Sequence, residues 1–299
     1  MELRQLRYFV AVAETLHFGR AAERLGITQP PLSQQIRALE DAIGARLFNR
    51  TNRRVELTDA GRAFLTEIRP VLEKLDAAAE LAARAHRGEV GELLVGFTIS
   101  APFTTVFSRA LYAYRRLHPG VALALSEMTT LAQIDALMER RLHVGVIRPS
   151  ALPEPLEAIE LLREPMVIAL HADHRLAHGD GPVSLDAFAG DDFVLFPRTM
   201  GIGLYDQIIA LCRHAGFAPR IAQEARHAST QIALVAAGFG VAILPALQQR
   251  IQVENVVYRT LADADAHTAV WLVYRSAAQA APLRAFVELV REEIAREAG

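Results

Sequence analysis

The most informative stretch of this 299-residue chain reads ITQPPLSQQI, which combines amide and hydroxyl side chains with two adjacent prolines. Apolar residues follow at the spacing of one buried helix face, namely Leu32, Ile36, Leu39 and Ile43. A helix is therefore predicted to begin after Thr28, with Pro30 and Pro31 in its first turn. Backbone N–H groups have no intrahelical acceptor there, so the prolines stiffen the turn without losing a bond. They also leave the Thr28 hydroxyl without its usual capping partners.

The opposite face of this predicted helix carries side chains that could read DNA bases. They are Gln29 at the tip and then Pro30, Ser33, Gln34 and Arg37. Glutamine can bond adenine through two hydrogen bonds, serine is adaptable, and arginine reaches guanine or phosphate. A solvated helix face is the alternative. The short helix before it, the Gly26 turn and the Arg53-Arg54 pair that follows favour DNA.

Two short helices and a hairpin are predicted to hold that helix in position. The first helix runs from about Leu3 to Glu14, and the second starts near Phe18. Strands at 46–50 and 55–57 are joined by a turn that contains Arg53 and Arg54. We expect Arg53, Arg54 and Thr28 to hold phosphates, while Gln29, Ser33 and Gln34 supply base selectivity.

A long helix is predicted from Thr58-Asp59 to about Arg87, where Gly88 ends it. Its apolar residues repeat at intervals of three and four, as in Phe64, Ile68, Val71, Leu75, Ala78 and Ala82. This heptad pattern favours pairing with a second copy of the chain, because small alanine side chains allow close helix approach. Packing on its own domain is the alternative.

From about Glu92 onward, predicted strands alternate with helices. Strands are predicted at 93–97, 121–125, 144–147, 193–196 and 241–244. This alternation predicts a largely parallel sheet with helices on both faces. Ligands bind at the carboxyl ends of such strands, where helix N-termini favour anions.

Small polar residues stand at these predicted strand ends, so they are candidates to bind a small anion. The candidates are Ser100 and Thr129 for a carboxylate, Phe103 and Ile202 for apolar walls, and Gly201 and Arg148 beside them. For Ser100 and Thr129 the alternative is simple helix capping. For Arg148 it is an exposed structural arginine.

The residue pattern closely resembles the LysR-type transcriptional regulators over essentially the whole chain. The resemblance rests on Phe18, Arg20-Ala21-Ala22, Thr28-Gln29-Pro30, Leu32-Ser33, Leu39-Glu40, Leu47-Phe48 and, later, Leu234 to Val241 with Leu244-Pro245. The N-terminal sequence looks most like the branch of this family that controls the breakdown of aromatic compounds. Gln34 departs from that branch, in which arginine is frequent; glutamine has a shorter reach and no charge, so the branch's base preference is not carried over to this position.

The resemblance implies a mixed fold of three parts. These are a winged helix-turn-helix at 1–58, a linker and dimerisation helix at 59–88, and an α/β effector-binding domain at 89–299. The last resembles the two-lobed periplasmic binding proteins, with lobe I at 89–162 and 266–299 and lobe II at 163–265. Gln29, Pro30, Ser33 and the wing residue Arg53 match DNA-contacting positions, and Ser100, Thr129 and Ile202 match effector-contacting ones.

The resemblance also implies a mode of action. A homodimer would bind an interrupted inverted repeat in double-stranded DNA, and dimers would pair into a homotetramer. A small effector, an aromatic acid or a dicarboxylate, would change how the assembly bends DNA.

Composition limits the other function classes. With 52% hydrophobic and 22% charged residues the chain is globular, and no apolar run approaches the ~20 residues of a membrane span. The absence of a secretion signal and the single Cys212 predict a cytoplasmic protein without an internal disulfide. Residues 1–87 carry 14 Lys and Arg against 11 Asp and Glu, whereas the rest carry 18 against 23. That asymmetry suits a DNA-binding N-terminus.

Two rival classes are an enzyme and an exported solute-binding protein built on the same α/β domain. The sequence has no nucleophile elbow, phosphate loop or zinc motif, so neither an enzyme nor a cofactor is predicted. His171, His174 and His178 stand at helical spacing, but the surrounding residues predict a loop, and no metal site is expected there.

Overall fold

The computed structural model describes residues 1–51, 54–179, 181–276 and 280–298. The chain divides into two compact units, Met1–Arg84 and Ala85–Gly299. Within the described ranges, no helix combines the length and the apolar character needed to cross a membrane.

The first unit is a helix-turn-helix followed by a hairpin. Its elements are α1 (Leu3–Thr15), α2 (Phe18–Arg24), α3 (Gln29–Ile43), β1 (Phe48–Thr51), β2 (Arg54–Leu57) and α4 (Asp59–His86), which continues into the second unit. The strands β1 and β2 pair antiparallel. These elements agree with the predicted helices and hairpin to within a few residues.

An aromatic cluster holds the first unit together. The Phe9 ring on α1 lies 5.3 Å from that of Phe48 on β1 and 5.2 Å from that of Phe64 on α4. The turn between α2 and α3 needs a glycine, because Gly26 has φ 64°, which other residues rarely adopt. The Ile27 N–H closes this turn on the Ala22 carbonyl at 3.0 Å. Together the cluster and the turn fix the direction of α3.

The second unit alternates strands and helices in two lobes. Its elements are β3 (Gly91–Phe97), α5 (Thr105–Leu117), β4 (Val121–Glu127), α6 (Thr130–Met138), β5 (Val144–Ile147), β6 (Leu156–His171), β7 (Asp192–Leu195), α7 (Ile202–His214), β8 (Arg220–Glu224), α8 (Ala228–Ala236), β9 (Ala242–Pro245), β10 (Val256–Thr260), β11 (His267–Arg275) and α9 (Ala281–Ala298).

One long strand connects the two lobes. The first part of β6, up to Pro165, pairs with β11, and its second part, from Met166, pairs with β9 and β10. Lobe I therefore gathers β3, β4, β5 and β11 with α5, α6 and α9, while lobe II gathers β7 to β10 with α7 and α8.

The prediction of a largely parallel sheet is wrong in part. β3 lies parallel to β4 and β5, and β7 lies parallel to β8, as predicted. In contrast, β6 is antiparallel to β9, β10 and β11, and β11 is antiparallel to β5. Antiparallel neighbours need no helical crossover, so the alternation of strands with helices gave no sign of these long strands.

Cys212 is fully buried on α7 in lobe II. Burial raises the pKa of its thiol to about 12, so the thiol stays protonated near neutral pH. It fills the small apolar role that the sequence predicts.

Candidate nucleic-acid interface and ligand cavity

The first turn of α3 has the construction predicted from its two prolines. Thr28 is the N-cap, Gln29 is the first helical residue, and Pro30 and Pro31 follow it. The Thr28 side chain makes no capping hydrogen bond. Its exposed hydroxyl is therefore available to another molecule.

The outer face of α3 presents polar side chains that the protein does not use. Gln29, Gln34 and Arg37 are exposed and Ser33 is half-buried. Leu32, Ile36 and Leu39 are buried on the opposite face. Within the described part of the chain, none of the four polar side chains has a hydrogen-bond or ion-pair partner. The structure thus brings these predicted residues together on one accessible surface.

Glu40 fixes the hairpin to α3, a role that the sequence did not reveal. Its buried carboxylate accepts hydrogen bonds from the Leu47 N–H at 2.9 Å and the Phe48 N–H at 3.1 Å. The same carboxylate pairs with Arg46 at 3.2 Å and with Arg50 at 3.1 Å. Burial lowers the pKa of Arg50, and the charge of Glu40 opposes that shift.

Of the two predicted wing arginines, the structure describes only Arg54. Arg53 lies outside the described residues. Arg54 is exposed at the start of β2, where its Nε atom lies 2.9 Å from the Glu56 carboxylate. The Arg54 side chain is 79% exposed, so a phosphate could reach its guanidinium.

The heptad residues of α4 divide into a packed group and an exposed group. Phe64 and Ile68 belong to the core of the first unit, so their assignment to a seam between two copies is corrected. The cause is the aromatic cluster of α1 and β1, which covers this end of α4. Further along, Val71 is 56% exposed and Leu75 is 43% exposed. Ala78 and Ala82 are exposed as well.

A cavity of about 100 Å³ lies between the two lobes of the second unit. Three of the predicted residues line it, namely Ser100, Arg148 and Gly201. Apolar side chains supply much of the wall, among them Ile99, Phe196, Met200, Leu204, Ile243 and Leu244. A small, largely apolar cavity with a few polar groups is the usual form of a small-molecule site.

Arg148 is buried, so the alternative of an exposed structural arginine is wrong. Its Nη1 atom lies 2.8 Å from the Glu164 carboxylate, and its Nη2 atom donates to the Ser100 hydroxyl at 3.1 Å. Burial lowers the pKa of Arg148, while the charge of Glu164 raises it. The second carboxylate oxygen of Glu164 accepts from the Leu247 N–H at 2.6 Å. The positive charge of Arg148 is therefore already balanced.

Three other predicted effector contacts do not line the cavity. Thr129 caps α6, with its hydroxyl accepting from the Ala132 N–H at 3.4 Å, and its neighbour Thr130 lines the cavity instead. Phe103 is 40% exposed on a short 3-10 turn. Ile202 is half-buried at the start of α7, between two glycines that do line the cavity. For these three residues, the sequence predicted the strand end but not which residue of the turn lines the cavity.

The sequence prediction missed most of the lining residues, among them three with long polar side chains. Gln231 on α8 and Gln248 on a 3-10 turn are buried, and the Oε1 atom of each has no hydrogen-bond partner within the described ranges. Arg226 is exposed where it lines the cavity, and it forms no ion pair with any described residue. A glutamine within a helical pattern gives no sequence signal of this kind.

The histidine group does not form a metal cluster among the described residues. His174 lies 3.3 Å from the Asp191 carboxylate and stacks on the Phe188 ring at 5.7 Å between centroids. His174 therefore belongs to the local packing of lobe II.

Comparisons with known proteins match the chain in two parts that correspond to its two compact units. Residues 3–62 match the family model of the bacterial regulatory helix-turn-helix protein, lysR family, and residues 86–295 match that of the LysR substrate binding domain. The uncharacterized HTH-type transcriptional regulator YnfL of Escherichia coli (strain K12) is 50% identical over 274 residues, which cover 92% of each chain.

Two solved structures are similar to this chain, one of a protein with its target DNA and one of a domain with its effector. Full-length CbnR complexed with its target DNA has a TM-score of 0.79 and 32% identity, covering 98% of this chain and 100% of that chain. The BenM effector binding domain with its effector benzoate has a TM-score of 0.63 and 28% identity, covering 70% of this chain and 94% of that chain.

Proposed function

Because this chain belongs to the LysR family of DNA-binding transcriptional regulators, we propose that the outer face of α3 reads its promoter and that a small acid in the interlobe cavity controls it. The observation that carries the first half is the exposed, unpartnered polar face of α3. As a regulator that acts on DNA, the protein works in the cytoplasm.

Gln29, Ser33 and Gln34 contact base edges in this proposal, because amide and hydroxyl groups discriminate bases in the major groove. Pro30 stiffens the tip and contacts the groove wall. Arg37, Arg54, Arg53 and the Thr28 hydroxyl hold phosphates, which supplies affinity that falls as salt rises.

Two copies of the chain pair through α4 in this proposal. Four of the exposed apolar residues beyond the first core follow the heptad spacing, namely Val71, Leu75, Ala78 and Ala82. Their spacing places them on one stripe, and burial of the stripe against a second copy removes it from water. Two recognition helices then meet the halves of an interrupted inverted repeat. By family resemblance, dimers pair again into a homotetramer.

The proposed effector is an aromatic acid or a dicarboxylate. Arg226 supplies an unpaired positive charge at the cavity, and the first-turn N–H groups of α7 at Gly203 and Leu204 have no intrahelical acceptors. The bound benzoate of the BenM domain supports an aromatic acid. Ser100 and the apolar wall complete the contacts, and an acid that prefers one lobe arrangement shifts the assembly towards it.

An electrophoretic mobility shift tests the DNA half. We expect the purified chain to retard a duplex from the region upstream of its own gene, and to do so at lower concentration than a shuffled duplex of equal length. Absence of retardation of both duplexes at low salt would remove the proposal.

A thermal-shift screen of the full chain tests the effector half. We expect at least one aromatic acid or dicarboxylate to raise the melting temperature, since a ligand that binds only the folded state stabilises it. The Arg226→Ala variant should lose most of that shift. If no acid changes the melting temperature of the wild-type chain, the proposed effector class is wrong.

A further inference from the structure

The polar groups of the cavity differ in whether they have hydrogen-bond partners among the described residues. Arg148 donates to Glu164, to Ser100 and, at 3.3 Å, to the Ala269 carbonyl. The Oε1 atoms of Gln231 and Gln248 accept no hydrogen bond from any described residue. The glutamine oxygens can therefore accept a hydrogen bond from a ligand, whereas the guanidinium of Arg148 is already in use.

Gln231 is the clearest of these acceptors. The residue is only 2% exposed, and its Nε2 atom donates to the Ala225 carbonyl at 3.0 Å. Because that bond fixes the orientation of the amide, the atom left without a partner is the carbonyl oxygen Oε1. A buried carbonyl oxygen is stabilised only by a donor.

Gln248 and Thr98 line the same cavity and extend this set. Gln248 is 9% exposed, and neither its Oε1 atom nor the Thr98 Oγ1 atom has a partner within the described residues. A hydroxyl can donate or accept, so Thr98 can adapt to the ligand, whereas the oxygen of Gln231 cannot.

A simple carboxylate does not match these groups. Its oxygen atoms are acceptors only, so beside Gln231 they would meet another acceptor. The acid group suits the part of the cavity lined by Arg226 and the start of α7, which carry positive charge and free N–H groups. A different group of the ligand must face Gln231.

We propose that the effector carries a hydroxyl or an ammonium group in addition to one acid group, and that the Gln231 carbonyl oxygen accepts a hydrogen bond from it. Within the proposed class of small acids, the ligand is therefore one that also carries such a donor, a hydroxy acid or an amino acid, and the parent acid without the donor is a poorer ligand. This inference rests on the proposed function, in which a small acid occupies the cavity.

Calorimetric titration of the full chain tests the ligand class. The probes are benzoate, the three hydroxybenzoates, the three methoxybenzoates, and the aliphatic set of propionate, lactate and alanine. A methoxy group keeps the oxygen but loses the donor, so it controls for size and polarity. We expect one hydroxy or amino acid to bind roughly ten-fold or more tightly than its parent acid, because a site built for a donor rejects the analogue that lacks it.

Two glutamine variants test the assigned residue. Gln231→Met removes the acceptor at similar volume and should abolish the preference for the donor group. Gln133→Met is the matched control, because Gln133 is also buried with an unpartnered Oε1 atom but does not line the cavity. That control should keep the preference. Gln248→Met provides a second cavity variant if Gln231→Met does not fold, and it should weaken the preference.

The outcomes separate this inference from the proposed function. If parent, methoxy and hydroxy acids bind equally well, the donor requirement is overturned while the acid effector stands. A preference that persists in folded Gln231→Met overturns the role of Gln231. Should none of the acids bind the wild-type chain, the acid effector itself fails and the inference falls with it.

Discussion

The outer face of α3 and the interlobe cavity use polar side chains in opposite ways. On this face of α3, the amide, hydroxyl and guanidinium groups have no hydrogen-bond or ion-pair partner among the described residues, and all but Ser33 are exposed. In the cavity, Arg148 and Glu164 are buried and paired, while Gln231 is buried and only partly paired. A residue on the outer face of α3 can therefore change with little loss of stability, whereas a buried residue at the cavity contributes both to folding and to binding.

The largest expected effect comes from breaking the buried pair. Glu164→Ala leaves the charge of Arg148 and the Leu247 N–H without a partner, and should lower the free energy of unfolding of the second unit by about 3–5 kcal/mol. Glu160→Ala, which breaks an exposed pair with Arg163 on the same strand, should change it by less than about 1 kcal/mol. Urea unfolding measures both. Equal losses would contradict the contrast between buried and exposed groups.

Glu40 provides a test within a single unit, because it is a buried polar group on the same helix as the exposed outer face. Glu40→Ala removes the acceptor of two backbone N–H groups, and should destabilise the first unit by about 3 kcal/mol. DNA affinity should fall because the hairpin is no longer fixed to α3. Asp41→Ala, at an exposed neighbouring position, serves as the control and should alter neither quantity. Unaltered stability in Glu40→Ala would refute the positioning role.

Gly203 tests how closely the lobes must approach around the cavity. A Cβ atom at this position would lie 2.1 Å from the Pro149 carbonyl oxygen, so Gly203→Ala should push α7 away from lobe I. We expect a loss of about 1–3 kcal/mol in stability and weaker effector binding. Gly190→Ala, where a Cβ atom would meet nothing within 4 Å, is the control for calorimetry and unfolding. Wild-type affinity in Gly203→Ala would show that the close approach is unimportant.

The smallest effect on stability is expected on the outer face of α3. Gln29→Ala should leave the unfolding free energy within about 0.5 kcal/mol of wild type and reduce the preference for the specific duplex by about 1–3 kcal/mol. Arg37→Ala should weaken binding to specific and shuffled duplexes alike and reduce the salt dependence. Fluorescence anisotropy at several salt concentrations measures both. Identical behaviour of the two variants would contradict the division between base and phosphate contacts.

The same contrast explains how far the sequence could be interpreted. The outer face of α3 is formed by consecutive turns of one helix, so spacing alone predicted Gln29, Ser33, Gln34 and Arg37 on it. The cavity is assembled from distant segments, and which residue of a turn faces inward depends on tertiary packing. For that reason Ser100, Arg148 and Gly201 line the cavity as expected, Phe103, Thr129 and Ile202 do not line it, and the lining residues Gln231 and Gln248 were missed.

On α4, the heptad spacing could not distinguish the apolar residues that pack in the core from those that are exposed. Phe64 and Ile68 repeat with the same spacing as Val71 and Leu75, yet the first pair packs in the core of its own unit. Only the position of the aromatic cluster distinguishes them. Long antiparallel strands such as β6 escaped for a related reason, because their pairing partners lie far away in the sequence.

Selection of binding sites from a random duplex library tests the central claim most directly. The wild-type chain should select an interrupted inverted repeat, because two copies of α3 are joined through α4. Gln29→Ala should lose base preference at one position in each half of that repeat, at places related by its two-fold symmetry. An unchanged consensus for Gln29→Ala, or a wild-type consensus without symmetry, would contradict the account.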